Sequence, residues 1–163
     1  MGNKIKINER VYSLAHQYNI EQTRTHDIIS AYIEYTKVML INGYKVDIFG
    51  LVTIVPDNIS AEYTTTLAYE CKHIADDLAI SFNTVFVIIQ EYINSMIDDL
   101  LNNRPIEIRG LLNAKPIVEE DKVVKVHTNI SSQFKYRLRE QSECVTSVRV
   151  HTHKLLKYTI SVA

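Results

Sequence analysis

Val11, Leu14, Ala15 and Tyr18 recur at helical spacing and give the first part of the chain a single apolar face. The spacing predicts a helix over Asn8–Tyr18. After the short connection NIEQT, a second stripe made of Ile28, Ile29, Tyr32, Ile33, Tyr35 and Leu40 predicts a longer helix over Gln22–Leu40, with Thr23 as a candidate N-cap. Asn-Gly-Tyr then breaks the helix. In VDIFGLVTIVPDN the period drops to two, the mark of a strand and of the first arm of a hairpin. Gly50 falls inside that alternation, where a glycine marks a bulge or a close backbone approach.

The same series is written a second time. A shift of sixty residues, with no gap, aligns Ala15 with Ala75, Ile28-Ile29 with Ile88-Ile89, Tyr32-Ile33 with Tyr92-Ile93 and Leu40 with Leu100. It also aligns Gly50-Leu51 with Gly110-Leu111 and Pro56 with Pro116. The second copy predicts helices over Thr65–Leu78 and Asn83–Leu101, joined by AISFN with Ser81 as candidate N-cap. NNRP is its breaker, and IEIRGLLNAKPIV is its strand. Gly50, Gly110, Pro56 and Pro116 are read as turn markers. A unit of about sixty residues is marginal alone because so little of its surface is buried. Two copies can cover each other, so the reading is α+β: two helix-helix-β-hairpin repeats forming an internal pseudo-dimer, plus added C-terminal strands. The divisions are 1–62, 63–141 and a β extension over 142–163.

Helix, short turn, long helix ending at Gly or Asn, then strand-Gly-strand resembles the bacterial HU / integration host factor family. The stretches that carry the resemblance are NERVYSLAHQYNIEQTRTHDIISAYIEYTKVMLINGYKVDIFGLVTIV and ECKHIADDLAISFNTVFVIIQEYINSMIDDLLNNRPIEIRGLLNAKPIV. The second copy continues with VVKVHTNISSQFKYRLREQ, which is similar to that family's returning strand and short final helix, with Phe134-Lys135 at its aromatic-basic position. The likeness spans roughly residues 5–141. It implies an intertwined dimer-like fold. The family's long, basic, Pro-tipped arm wedges into the DNA minor groove. Here PDNISAEYTTT follows the first strand and the acidic PIVEEDKVV follows the second, so no arm contact carries over. The resemblance therefore implies an armless relative serving protein assembly, as in the neck or tail rings of tailed phages.

Charge sharpens this picture. The net charge is −1 over 163 residues. Residues 1–62 carry six Lys/Arg against seven Asp/Glu, residues 63–118 four against seven, and residues 119–163 eight against five. A dedicated DNA binder shows a stronger basic excess. Only the last piece leans that way, through Lys122, Lys125, Lys135, Arg137, Arg139, Arg149, Lys154 and Lys157, which are the candidate phosphate contacts of an alternative reading as an architectural nucleic-acid binder. Ten tyrosines against four phenylalanines and no tryptophan fit surfaces half buried in a partner. Tyr63, Tyr69, Tyr136 and Tyr158 lie off the core stripes and are the candidate interface residues.

The remaining chemistry excludes more than it suggests. No apolar run is long enough for a membrane span, and the polar start MGNKIKINER predicts no secretory leader. Cys71 and Cys144 read as reduced thiols of an intracellular, cytoplasmic protein, or of one incorporated into a virion. His151 and His153 can share a strand face, and Cys144 or His127 are the only further ligands in prospect, without a defined spacing. Cys71 and His73 diverge on a helix. The pairs Asp76-Asp77 and Asp98-Asp99 read as solvated helix faces, Glu119-Glu120 as a turn, and Asp47 and Glu107 as matching solvent-facing strand positions. No nucleophile elbow, phosphate loop or zincin motif occurs, so neither an enzyme nor a metal or other cofactor is expected. Protein partners in a larger assembly are expected instead.

Overall fold

The two short helices end for the same local reason. In α1 (Ile7–Tyr18) and α3 (Leu67–Leu78) the residue after the last turn, Asn19 or Ala79, takes the left-handed conformation at φ 53° and 54°. The next residue's N–H, that of Ile20 or Ile80, then reaches back five residues to the carbonyl of Ala15 or Ala75, at 3.0 Å in both cases. The pattern occupies carbonyls that a helix end leaves without partners. Ile20 and Ile80 follow it by packing on the core.

The computed structural model describes residues 4–48, 50–57 and 64–152. Among them the chain is mixed α and β, with five helices and two sheets. The long helices are α2 (Gln22–Ile41) and α4 (Phe82–Leu101). They are followed by β1 (Lys45–Ile48) and β2 (Val52–Pro56) in the first half, and by β4 (Ile106–Ile108) and β5 (Leu112–Glu119) in the second. Two-residue β3 (Thr64–Thr65) lies between the halves, and β6 (Lys122–Ile130), α5 (Ser132–Gln141) and β7 (Val148–Thr152) complete the series. The sheets run β3-β1-β2-β7 and β4-β5-β6.

The sixty-residue offset holds in three dimensions. Helix bounds match at both ends, and residues 11–20 and 71–80 show an identical succession of buried, half-buried and exposed positions. One core collects both halves: Ile28, Ile29, Tyr32 and Leu40 of α2 meet Ile88, Ile89, Tyr92 and Leu100 of α4. The contacts are exchanged, with α1 on α4 and α3 on α2 as well as α2 on α4. The apolar stripes demand this, since each helix pair keeps a face that its own short strands do not cover.

Four details differ from the sequence reading. Glu21, not Thr23, is the N-cap of α2, and its side chain makes no capping bond; Ser81 does cap α4, accepting from the Thr84 N–H. The helices of the second half begin at Leu67 and Phe82 rather than at Thr65 and Asn83, because Thr66 and Ser81 hold the caps. Gly50 and Gly110 are the turn residues of the sequence reading, not bulges: each lies in the tight turn between paired strands at φ 74° and 70°, beside the Leu51 or Leu111 N–H that closes the turn. Pro56 and Pro116 are not turn residues but buried strand residues, opposite Val148 and Val126. Neither removes a needed bond, because β1 and β4 stop short and leave that side of the strand open.

Strand β7 pairs along β2 within the same chain. Beside β1 and β2 the first sheet thereby gains β7, as the second gains β6 beside β4 and β5, and the edge of β2 is covered.

Candidate interaction surfaces

At residues 10 and 70, one position of the short helix carries a buried charge in each half. Arg10 of α1 is 4% exposed and reaches into α4, donating to Asp99 Oδ2 at 2.6 Å and to Ser95 Oγ at 2.8 Å. Arg104 stands 3.9 Å from the other Asp99 oxygen. Asp99 is therefore not part of a solvated face, contrary to the reading of Asp98-Asp99; the reach of Arg10 explains its burial. Glu70 of α3 is fully buried, and its Oε1 accepts from the Thr65 hydroxyl at 2.8 Å. Its Oε2 and the nearby Tyr32 hydroxyl have no hydrogen-bond partner among the described residues. Burial pushes the Glu70 carboxyl up to about 7, the Thr65 bond opposing and Asp47 adding to the rise. Burial, then the Glu70 charge, pushes the Tyr32 hydroxyl well above its ordinary range. The Arg10–Asp99 pair joins the halves, and Arg10, Ser95 and Asp99 also line a cavity of about 430 Å³.

The basic residues divide among separate elements. Lys122 and Lys125 are exposed near the start of β6, Lys135 and Arg139 on α5, and Arg149 on β7. Lys122 is eight residues from the end of β6, so roughly 27 Å of extended strand separates it from the start of α5. Arg137 is not free: it forks onto Glu34 of α2 at 2.6 and 2.8 Å and also donates to Gln141. That bond holds the Glu34 carboxyl below its usual value. Arg149 donates to Asp57 at 2.9 Å and to His151 at 3.2 Å. Lys135 and Arg139 line a cleft of about 300 Å³ with Ile130, Leu138, Thr146, Ser147 and Val148. Lys154, Lys157, Tyr63, Tyr158 and His153 lie outside the described residues.

Two cations belong to this region that no window of the sequence singles out. Lys37 of α2 feels both Arg137 and Arg109 of the β4–β5 turn: burial lowers the Lys37 ammonium first, Glu34 opposes, and both arginines lower it further. Three distant segments meet here, so linear charge counts miss the cluster.

Tyr69 and Tyr136 are exposed, at 52% and 59%, as an interface role requires. Tyr69 packs edge-on against His73, which also stacks on Tyr35. Tyr12, at 62%, is equally exposed and escapes the sequence reading because it interrupts a clean helical stripe. At the β5–β6 turn, Glu120 and Asp121 adopt φ 52° and 62°, and Val118 and Val124 beside them are 39% and 40% exposed. Asp47 and Glu107 are half-buried rather than open: Asp47 accepts from Thr53, and Glu107 pairs with Lys4 at 3.1 Å. Cys71 is buried while His73 is exposed, so the two diverge as their spacing predicts.

Among the described residues no three His, Cys, Asp or Glu side chains gather in a way that could hold a metal ion, and no helix is long and apolar enough to cross a membrane. The geometry defines an α+β chain of two matching halves joined through one core and the buried Arg10–Asp99 pair. No protein-family model matches the chain, and no curated protein matches it.

Proposed function

We propose that the chain is a non-enzymatic assembly module of HU / integration host factor-like plan, an internal pseudo-dimer adapted to protein contacts in a phage neck, tail or other virion part. The observation that supports this most is what occupies the two arm positions. In the first half β2 ends at Pro56, and the strand beside it is the distant β7, so among the described residues no hairpin of its own projects there. In the second half the β5–β6 tip carries Glu119, Glu120 and Asp121, with Lys122 opposite Glu119. Three carboxylates repel phosphate, while exposed Val118 and Val124 suit a protein surface.

A second reading, architectural binding of nucleic acid, draws on one specific observation: Lys37, Arg109 and Arg137 converge, with Lys135 and Arg139 on the same short helix as Arg137. Salt separates the two. Phosphate contacts lose affinity steeply as salt rises, because binding releases counterions. Titration of the purified protein against a short labelled duplex should show no binding at any salt concentration. Tight binding at low salt that collapses at high salt would replace the assembly reading with the second one.

A further inference from the structure

Where α1 meets the start of α2, the first half holds a cavity of about 590 Å³. Buried Val11 lines it, together with Gln22, Thr23 and His26 of α2. Its two acids, Glu9 and Asp27, are exposed, and neither lysine nor arginine lines it. Sixty residues on, the same positions carry the opposite character. Gln22 becomes Phe82, His26 becomes Phe86, Asp27 becomes Val87, Glu9 becomes Tyr69 and Tyr12 becomes Lys72. The two phenylalanine rings stack with centroids 5.8 Å apart, and Phe86 packs on the core. Phe82, Val87 and Tyr69 are 40%, 36% and 52% exposed. Lys72, also exposed, is the one charged side chain among the counterparts of the cavity's residues. Large apolar groups gathered on one face, rather than scattered singly, mark a surface that another molecule covers.

We propose that this apolar face of one copy docks into the cavity of the next copy, so that the chain assembles head to tail. Charge selects the pairing. Face on cavity brings Lys72 to Glu9 and Asp27. Face on face would set Lys72 against Lys72, and cavity on cavity would set carboxylates against carboxylates. Among the described residues none of Glu9, Asp27 and Lys72 is engaged in an ion pair. Shape and polarity agree with charge. The first half has Gln22 and His26 where the second has its phenylalanines, so an aromatic anchor for the cavity has to come from outside. Phe82 is such an anchor, and its stacking on Phe86 holds the ring before any partner arrives. Because the two surfaces differ, a contact between two copies leaves one cavity and one face unused. Contacts of this kind close into a ring or run on as a filament. The proposal rests on the assembly reading and names the partner, a second copy of this chain.

Sedimentation velocity on the purified chain is the test. The mass should rise above that of one chain as concentration increases. A single-chain mass up to about 1 mM, where even weak protein pairs associate, overturns the proposal and leaves the assembly reading to the duplex titration. Two variants then break one surface each. Phe82→Ala removes the anchor from an exposed position at the start of α4. Glu9→Lys combined with Asp27→Lys reverses the charge of the cavity. Each should weaken self-association at least about tenfold. Mixed together they should form pairs that stop at two chains, since each pair then has one intact face and one intact cavity. Association kept by either variant alone, or a mixture that stays monomeric, overturns the proposal. Lys72→Glu gives a reading independent of Phe82: alone it should weaken association, and with Glu9→Lys and Asp27→Lys in the same chain it should regain it. Failure of that rescue also overturns the proposal.

Discussion

Arg10 and Glu70 occupy one position in two copies of one design, and they solve the same problem unequally. Each is buried where the short helix of one half meets the long helix of the other. Arg10 has a full set of partners, because Asp99 and Ser95 face it at matched distances. The counterparts of Asp99 and Ser95 are Met39 and Tyr35, which carry no counter-charge, and Thr65, from the strand before the helix, donates to Glu70. A duplicated fold keeps its apolar stripe because packing penalises every change there, and its buried polar positions diverge as each half finds its own partner.

The pair that is matched should be the costlier to break. Asp99→Ala leaves the Arg10 cation buried without its carboxylate and should cost about 3–5 kcal/mol by urea denaturation. Combining Asp99→Met, which copies Met39, with Arg10→Met removes both charges and should recover most of that loss. A double variant as unstable as the single one would show that the position demands a polar pair, and the comparison with Glu70 would fail.

The unmatched partner should make itself felt through pH. The folded-state value of Glu70, about 7, lies above the ordinary 4.5. Its contribution to stability is therefore fully present below 4.5 and is lost as pH rises through about 7. Glu70→Gln keeps an oxygen for the Thr65 hydroxyl and cannot ionise. Above this window the variant should be more stable than the parent by about 1–3 kcal/mol, the usual cost of a buried polar group left without a partner. Urea midpoints followed across the window decide the matter. An equal slope in parent and variant would place the pH dependence elsewhere.

The halves were legible in the sequence because helix faces and strand alternation are local periodicities, and they repeat without a gap. Helix stops were legible for the same reason: Gly43 and Asn103 both adopt positive φ where the breakers NGY and NNRP stand. What escaped was non-local. Nothing near Asp99 in the chain announces Arg10, eighty-nine residues earlier, so two adjacent aspartates read as a solvated face. An added C-terminal strand was legible, but nothing near Val148 announces that its partner is Pro56 in the first sheet. The basic region was likewise legible only in part, since Arg137 is engaged by Glu34 and the cations Lys37 and Arg109 come from other elements.

A smaller difference between the halves lies at the short-helix ends. Asn19 and Ala79 both sit in the left-handed region. Asparagine tolerates it, whereas a Cβ without local hydrogen bonding costs roughly 1–2 kcal/mol there. Ala79→Gly should therefore stabilise the chain by about 1 kcal/mol, and Asn19→Ala should destabilise it by a comparable amount. Thermal melts of the two variants should move in opposite directions. Melts moving together would mean that the two ends are not equivalent.

The smallest effect is expected where the contact looks strongest. Arg137 and Glu34 make a two-pronged bond at 2.6 and 2.8 Å, shorter on average than many buried ones. Yet Glu34 is 51% exposed at its side chain, and Arg137 is 27% exposed. Water already solvates both ions in the unfolded chain and screens them in the folded one, so a double-mutant cycle of Glu34→Ala and Arg137→Ala should give a coupling of about 0.2–1 kcal/mol. The Arg10–Asp99 coupling, measured the same way, should exceed it several-fold, because that pair is shielded from water by the joined halves. Equal couplings would mean that burial between the halves adds nothing to a charge pair. The contrast between a matched and an unmatched interior charge would then explain neither the cost of losing Asp99 nor the pH dependence carried by Glu70.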